Sequence, residues 1–197
     1  MEDLIQVIKV LDDDQVKIVN GYIDTLEFNP SYVFGTKTGD QHIDEVRTST
    51  GTILDENNSA TLLLHDALNK ALLDYRENVI KVHENFQYYP VPGAWGTKSW
   101  REPIQSLEYV KGQEYKFHHD AHTSKDSSEY HRKITMVLYL NDGFEGGSTT
   151  FPHKSFKPPV GYCLVFPSNW CYPHTGEKVK KGKKRVVVTW YYVDTDF

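Results

Sequence analysis

Apolar positions recur with two different periods along this chain, one in each half. Val16, Val19, Ile23 and Leu26 stand at helical spacing behind Asp12-Asp13-Asp14, whose carboxylates offer an N-cap, so the pattern predicts an amphipathic helix over residues 13–26. A stronger stripe of Leu64, Leu68, Ala71, Leu72, Tyr75 and Val79 predicts a second helix from about Ser59 to Asn85. Ahead of both, Leu4 to Val10 alternates enough for a short strand. Residues 29–58 are polar and turn-rich, punctuated by Gly35, Gly39 and Gly51. Residues 86–103, with Tyr88, Tyr89, Pro90, Pro92, Trp95 and Trp100, read as a loop that could act as a lid.

From Ile104 the period shortens. Runs rich in β-branched and aromatic residues predict strands at 104–110, 114–120, 132–140, 147–151, 161–166, 171–174 and 184–193. Turns are expected at Asn141-Asp-Gly, Pro158-Pro and Lys181-Gly. Many short strands without intervening helices favour a sandwich or barrel. The expected fold is α+β: a double-stranded β-helix (jelly-roll, cupin-like) core over about 104–197, buttressed by a helical support region over about 1–103. A length of 197 residues suits one domain spanning 1–197.

Composition narrows the class. Apolar residues at 39% and charged residues at 25% describe an ordinary globule, and a net charge of −5 argues against a dedicated nucleic-acid binder. Cys163 and Cys171 are too few for a disulfide framework and lack the companions of a zinc site. The start Met1-Glu-Asp-Leu-Ile-Gln lacks a basic, apolar leader and no stretch reaches membrane-spanning length, so a cytoplasmic setting is expected.

The candidate chemistry centres on Gln113-Glu-Tyr-Lys-Phe-His118-His119-Asp120. Side chains alternate across a strand, so a continuous strand here would put His118 and Asp120 on one face and His119 on the other. His174 follows 56 positions later (174 − 118), room for several strands to circle a barrel and return. Two imidazoles and a carboxylate on one side of an ion form the facial triad of non-haem Fe(II) oxygenases, which leaves positions open for other ligands. His122 falls beyond the strand end and is not expected to ligate.

The residues around these three carry a resemblance. Tyr109-x-x-Gly-Gln-x-Tyr115-x-x-His118-x-Asp120, then Thr135…Tyr139-Leu-Asn141, then Gly146-Gly-x-Thr149-x-Phe-Pro152, then Phe166-Pro…His174…Gly182-x-Lys184…Trp190 together resemble the collagen-type prolyl 4-hydroxylases among the Fe(II)/2-oxoglutarate oxygenases. The match runs in order over about residues 104–193, and Arg47-Thr-Ser-x-Gly51 is similar to a short segment upstream of it.

The resemblance implies that His118, Asp120 and His174 bind Fe(II). It implies that 2-oxoglutarate places its far carboxylate on Lys184, with Arg185 as a rival of which only one can point inward. Tyr139 and Thr135 would assist there, and Tyr109, Tyr115 and Trp190 match pocket-lining positions, with Tyr115 and Arg132 toward the substrate. The implied reaction uses dioxygen to hydroxylate a C–H bond while 2-oxoglutarate is decarboxylated to succinate, with ascorbate as a repair reductant. The implied partner is a proline-containing peptide or protein, without membrane or nucleic acid. Two other readings stand beside it: an oxygenase acting on a free amino acid or a nucleic-acid base, and a non-catalytic barrel that binds metal or 2-oxoglutarate.

Overall fold

The computed structural model describes residues 2–31, 33–35, 39–41, 46–88, 98–123, 125 and 127–194. The first half contains strand β1 (Gln6–Lys9), helix α1 (Asp13–Ile23), strands β2 (Asn29–Pro30), β3 (Val33–Gly35), β4 (Gly39–Gln41) and β5 (Thr50–Ile53), and helix α2 (Ser59–Val82). Then come β6 (Lys98–Arg101), β7 (Gln105–Val110), β8 (Tyr115–His118), β9 (Arg132–Tyr139), β10 (Glu145–Gly146) and β11 (Thr149–Phe151). The chain closes with β12 (Lys154–Phe156), β13 (Tyr162–Pro167), β14 (His174–Gly176), β15 (Val179–Lys181) and β16 (Lys183–Asp194).

Both predicted helices form, and each begins where its cap lies. Asp12 accepts from the Gln15 backbone N–H at 2.8 Å while the Gln15 side chain accepts from Asp12 N at 3.0 Å, a reciprocal capping box. Asn58 caps α2 by accepting from Ala60 N at 2.9 Å. The six stripe residues from Leu64 to Val79 are all buried on α2. The first helix stops at Ile23, short of the expected 26, and Leu26 packs against the core from the turn that follows.

Two sheets build the jelly roll. The larger has eight strands, in the order β1-β13-β9-β16-β7-β5-β2 with β6 pairing β16; the smaller runs β12-β11-β14-β8. Alternation along the three central strands of the large sheet decides what each face does. Ile134, Met136 and Leu138 of β9, Cys163 and Val165 of β13, and Val187 and Tyr191 of β16 share a core with α1 and α2. Their neighbours Val137, Tyr139, Leu164, Phe166, Val186, Val188 and Trp190 form a second core inside the roll. These strands are buried on both faces, which explains their nearly unbroken apolar runs.

The expected architecture is therefore observed, with additions. The region before 104 is more than a helical support. Strands β1, β2, β5 and β6 all join the large sheet, and the 86–103 stretch contains β6 and the end of a short 3-10 turn at Glu84–Tyr88. Strand β1 falls within the predicted Leu4 to Val10 strand, whereas β2, β5 and β6 have too few positions to show a clear period, so the pattern missed those three. The β12 and β15 strands were missed for the same reason. The side chains of Tyr88, Tyr89, Trp95 and Trp100, and the lid reading attached to them, lie outside the described residues. Asn141 also exceeds a turn-former's role. Its amide donates to Lys183 O at 2.6 Å and accepts from Arg185 N at 2.7 Å, splicing the end of β9 onto β16.

Candidate active site

Strands β8 and β14 pair antiparallel with His118 directly opposite His174, which brings two imidazoles 56 positions apart to ring centroids 4.4 Å from one another. Each ring has its orientation fixed by its own backbone. His118 Nδ1 lies 2.6 Å from Lys116 O, and His174 Nδ1 lies 3.2 Å from Tyr172 O. A carbonyl can only accept, so each Nδ1 carries the proton and each Nε2 keeps its lone pair. Those Nε2 atoms stand 3.5 and 3.7 Å from the two oxygens of Asp120. Among the described residues, His118, Asp120 and His174 form one group whose ligand atoms lie within 4.8 Å of one another.

The third member arrives by a different route from the one alternation suggested. β8 ends at His118, so no strand carries Asp120. Its backbone N–H and that of Ala121 both donate to Ser168 O, at 3.1 and 2.9 Å, and this tethers the turn to the end of β13. Thr135 Oγ1 donates to Asp120 Oδ2 at 2.7 Å and lies 2.8 Å from Ser168 Oγ. Burial alone would raise the Asp120 pKa; the His174 and His118 imidazoles and the Arg132 guanidinium outweigh it and hold the carboxyl well below the usual range. Burial lowers His174 to about 4, against the opposing pull of Asp120. One carboxylate and two imidazoles whose Nε2 atoms turn toward it are a donor set that fits Fe(II).

Lys184 lies elsewhere on the same cavity. It shares its face of β16 with Val186, Val188 and Trp190 and is buried, whereas Arg185 shares the other face with Val187. Lys184 Nζ donates to Gly147 O at 2.7 Å and stands 4.8 Å from the Tyr139 ring centroid and 5.4 Å from that of Tyr109, its partner across β7. Gly147 has φ of 68°, a turn that an L side chain rarely adopts, and a Cβ there would meet the Phe144 ring. No carboxylate pairs with Lys184 among the described residues, and burial lowers its pKa to about 8. Arg185 instead reaches Glu108 and Asp24, at 2.6 and 2.7 Å.

A cavity of about 1030 Å³ joins the two features and is lined by His118, Asp120, His174 and Lys184, together with Tyr109 and Thr149 among others. Tyr115 and Trp190 also line it. Tyr115 stacks on His118 with ring centroids 3.5 Å apart, and Arg47 sits over the Tyr115 ring at 4.9 Å. Arg132 lies 3.8 Å over the Trp190 ring. Its guanidinium is already engaged, bonding both oxygens of Glu102 at 2.6 and 2.8 Å, Glu129 at 2.9 Å and Asp120 O at 3.1 Å. Tyr192 also donates to Glu102.

Several sequence expectations shift. Tyr139 does not line the cavity. It is fully buried, and its hydroxyl is paired with Thr149 at 2.9 Å. Thr135 faces the cavity with its hydroxyl committed to Asp120. Arg132 is neutralised by two glutamates rather than left free for a ligand. His119, expected to face away, lines the cavity as His122 does, yet neither joins the triad; His119 Nδ1 is 2.6 Å from Ala121 O. Thr149 and Ser168 were not singled out. Thr149 was visible in the Gly-Gly-x-Thr run, whereas nothing local marks Ser168.

The arrangement of a jelly roll around two histidines and an aspartate has close counterparts. Residues 104–192 match the model of the 2OG-Fe(II) oxygenase superfamily. A putative prolyl 4-hydroxylase of Acanthamoeba polyphaga mimivirus is 36% identical over 107 residues, covering 46% of this chain and 44% of that protein. A probable prolyl 4-hydroxylase 3 of Arabidopsis thaliana is 31% identical over 195 residues, covering 83% of this chain and 60% of that protein. The chain spans about half the length of these relatives. The fold is also that of the viral collagen prolyl hydroxylase of Paramecium bursaria Chlorella virus-1, solved as its 2OG complex. That match has a TM-score of 0.67 and 19% identity, and covers 98% of this chain and 97% of the other. Residues 104–192 thus match a 2OG-Fe(II) oxygenase domain, and the chain resembles prolyl hydroxylases. The family implies iron, 2-oxoglutarate and dioxygen. No helix among the described residues is long and apolar enough to cross a membrane.

Proposed function

We propose that this chain is an Fe(II)/2-oxoglutarate-dependent hydroxylase acting on a prolyl residue of a peptide or protein. One observation carries the reading: a buried lysine without a carboxylate partner among the described residues shares a cavity with a His–Asp–His group whose Nε2 and carboxylate atoms converge. A buried ammonium is costly to keep charged, and an anionic ligand offsets that cost. In this reading Lys184, with Tyr109 and Thr149 beside it, receives the far carboxylate of 2-oxoglutarate. Tyr139 keeps Thr149 in place through their hydroxyls, and Trp190 walls the site. His118, Asp120 and His174 hold the metal. Iron, once bound with 2-oxoglutarate and dioxygen, supplies the oxidising chemistry that couples decarboxylation to C–H hydroxylation, with ascorbate as the repair reductant.

The chain's own residues select the substrate and exclude water. Arg132, engaged by Glu102 and Glu129, lies flat over Trp190 and has no unpaired positive charge to offer, which suits an uncharged pyrrolidine better than an anion. Phe117 lines the cavity and is 64% exposed, an aromatic surface of the kind that polyproline II segments dock against. The helices and the roll act as one catalytic unit, because α1 and α2 complete the outer core of the large sheet. Cys163 and Cys171 are free thiols, which suits a reducing cytoplasm.

The test supplies purified protein anaerobically with Fe(II) and 2-oxoglutarate, then admits oxygen with and without proline-rich peptides. Peptide-stimulated succinate with one oxygen gained on a prolyl residue is expected. Succinate that no peptide stimulates would overturn the prolyl substrate, and 2-oxoglutarate binding without turnover would favour the non-catalytic barrel.

A further inference from the structure

The hydroxyl of Thr135 has one proton, and it donates that proton to Asp120 Oδ2 at 2.7 Å. The Thr135 oxygen must therefore act as acceptor toward Ser168 Oγ, 2.8 Å away. The chain of protons runs in one direction, from Ser168 to Thr135 to Asp120 Oδ2. All three residues are buried, with Thr135 and Ser168 each 1% exposed. Ser168 holds the same turn a second time, since its carbonyl accepts from Asp120 N and Ala121 N. Its own N–H donates to Lys133 O at 3.0 Å, so the brace is anchored to the β9–β13 ladder. The other carboxylate oxygen, Oδ1, faces His118 Nε2 at 3.5 Å and takes no hydrogen bond from a side-chain hydroxyl among the described residues.

We propose that Thr135, polarised by Ser168, is a positioning residue that selects Oδ1 of Asp120 as the metal-binding oxygen, and that Thr135 makes no contact with 2-oxoglutarate. The inference rests on the reading of His118, Asp120 and His174 as the metal site. It departs from the role the family resemblance suggested for Thr135. With the strand ended at His118, the third ligand has no regular element to aim it. The Ser168–Thr135 pair does that work from β9 and from the residue that follows β13, strands whose own positions are fixed by two cores.

Calorimetric titration of the purified apo chain with Co(II) tests this without turnover. Thr135→Val keeps the shape and removes the donor, and should weaken Co(II) binding about 10- to 100-fold, the usual effect of losing a partner of a metal ligand. Thr135→Ser should restore most of that loss, and Ser168→Ala should show a smaller loss of the same kind. At saturating metal, the apparent KM for 2-oxoglutarate should stay unchanged in all three. Parent-like Co(II) affinity in Thr135→Val with a raised KM would overturn the proposal and return Thr135 to the co-substrate. Should the valine variant fail to fold, Ser168→Ala decides alone: unchanged Co(II) affinity there would also overturn it. Absence of Co(II) binding by the parent chain would instead refute the metal site itself.

Discussion

Lys184 and Arg185 are neighbours in sequence and stand on opposite sides of one strand. Lys184 Nζ meets Gly147 O inside the roll, while Arg185 reaches outward across Glu108 to Asp24 at the end of α1. Removing each should have different consequences. Lys184→Ala should raise the apparent KM for 2-oxoglutarate by about 100-fold or more, the loss of a charge-assisted pair in a low dielectric. Arg185→Ala should leave that KM alone and cost about 1–3 kcal/mol of stability by removing the guanidinium that ties Glu108 to Asn20 and Asp24, with Lys183 left as the partner of Glu108. Steady-state kinetics and urea unfolding check both, and a reversal of the two phenotypes would exchange their roles.

The same lysine makes co-substrate binding depend on pH. Burial lowers its pKa to about 8 in the free protein, so the ammonium that a carboxylate needs is progressively lost above that pH. Affinity for 2-oxoglutarate should therefore weaken as pH rises from about 7 to 9.5, approaching tenfold per unit above about 8. Fold stability moves the other way. The unfolded lysine titrates near 10.4, so between about 8 and 10.4 the unfolded state binds more protons and stability rises with pH. Lys184→Arg should flatten the binding profile. A profile already flat in the parent chain would remove Lys184 from the binding site.

His174 is packed as well as poised. Its ring lies 4.9 Å from that of Phe166 and 5.5 Å from that of Phe151, and the residue is buried. His174→Ala should abolish metal binding and also lower stability by about 1–3 kcal/mol through the cavity left between those rings. Asp120→Ala is expected to abolish metal binding too. Thermal unfolding of apo His174→Ala that matched the parent would show that the histidine contributes nothing to the core.

Phe117 has the opposite character, an apolar ring on the cavity wall left open to solvent. Phe117→Ala should raise the KM for a proline-rich peptide about 3- to 10-fold, in line with a lost aromatic contact. The KM for 2-oxoglutarate and peptide-independent succinate formation should not change. Equal effects on peptide and co-substrate would place Phe117 in a general structural role.

Legibility in the sequence followed the length over which a pattern could repeat. The α2 stripe spans Leu64 to Val79, and every residue of it is buried. Alternation along the 12-residue β16 put Lys184 and Arg185 on opposite faces without saying which face is inner, and the packing of Val186, Val188 and Trp190 inside the roll supplies that. His118 and His174 were legible as types, and the pairing of β8 with β14 supplies their meeting. What stayed hidden depends on contacts between distant segments. Asp120 owes its position to a carbonyl 48 positions later (168 − 120), and strand alternation gave the right neighbour for a different physical reason. The sequence position of Thr135 shows its face but not that its hydroxyl donates to Asp120. The two-residue strand β2 carries no period at all.

The central claim is tested most directly by turnover under isotopically labelled dioxygen with a proline-rich peptide, followed by mass spectrometry of both products. The account predicts one labelled atom in succinate and one on a prolyl residue of the peptide, formed in equal amounts. Labelled succinate with an unmodified peptide would contradict the prolyl substrate while keeping the oxygenase. No label in either product, from protein loaded with iron and 2-oxoglutarate, would contradict the catalytic reading as a whole.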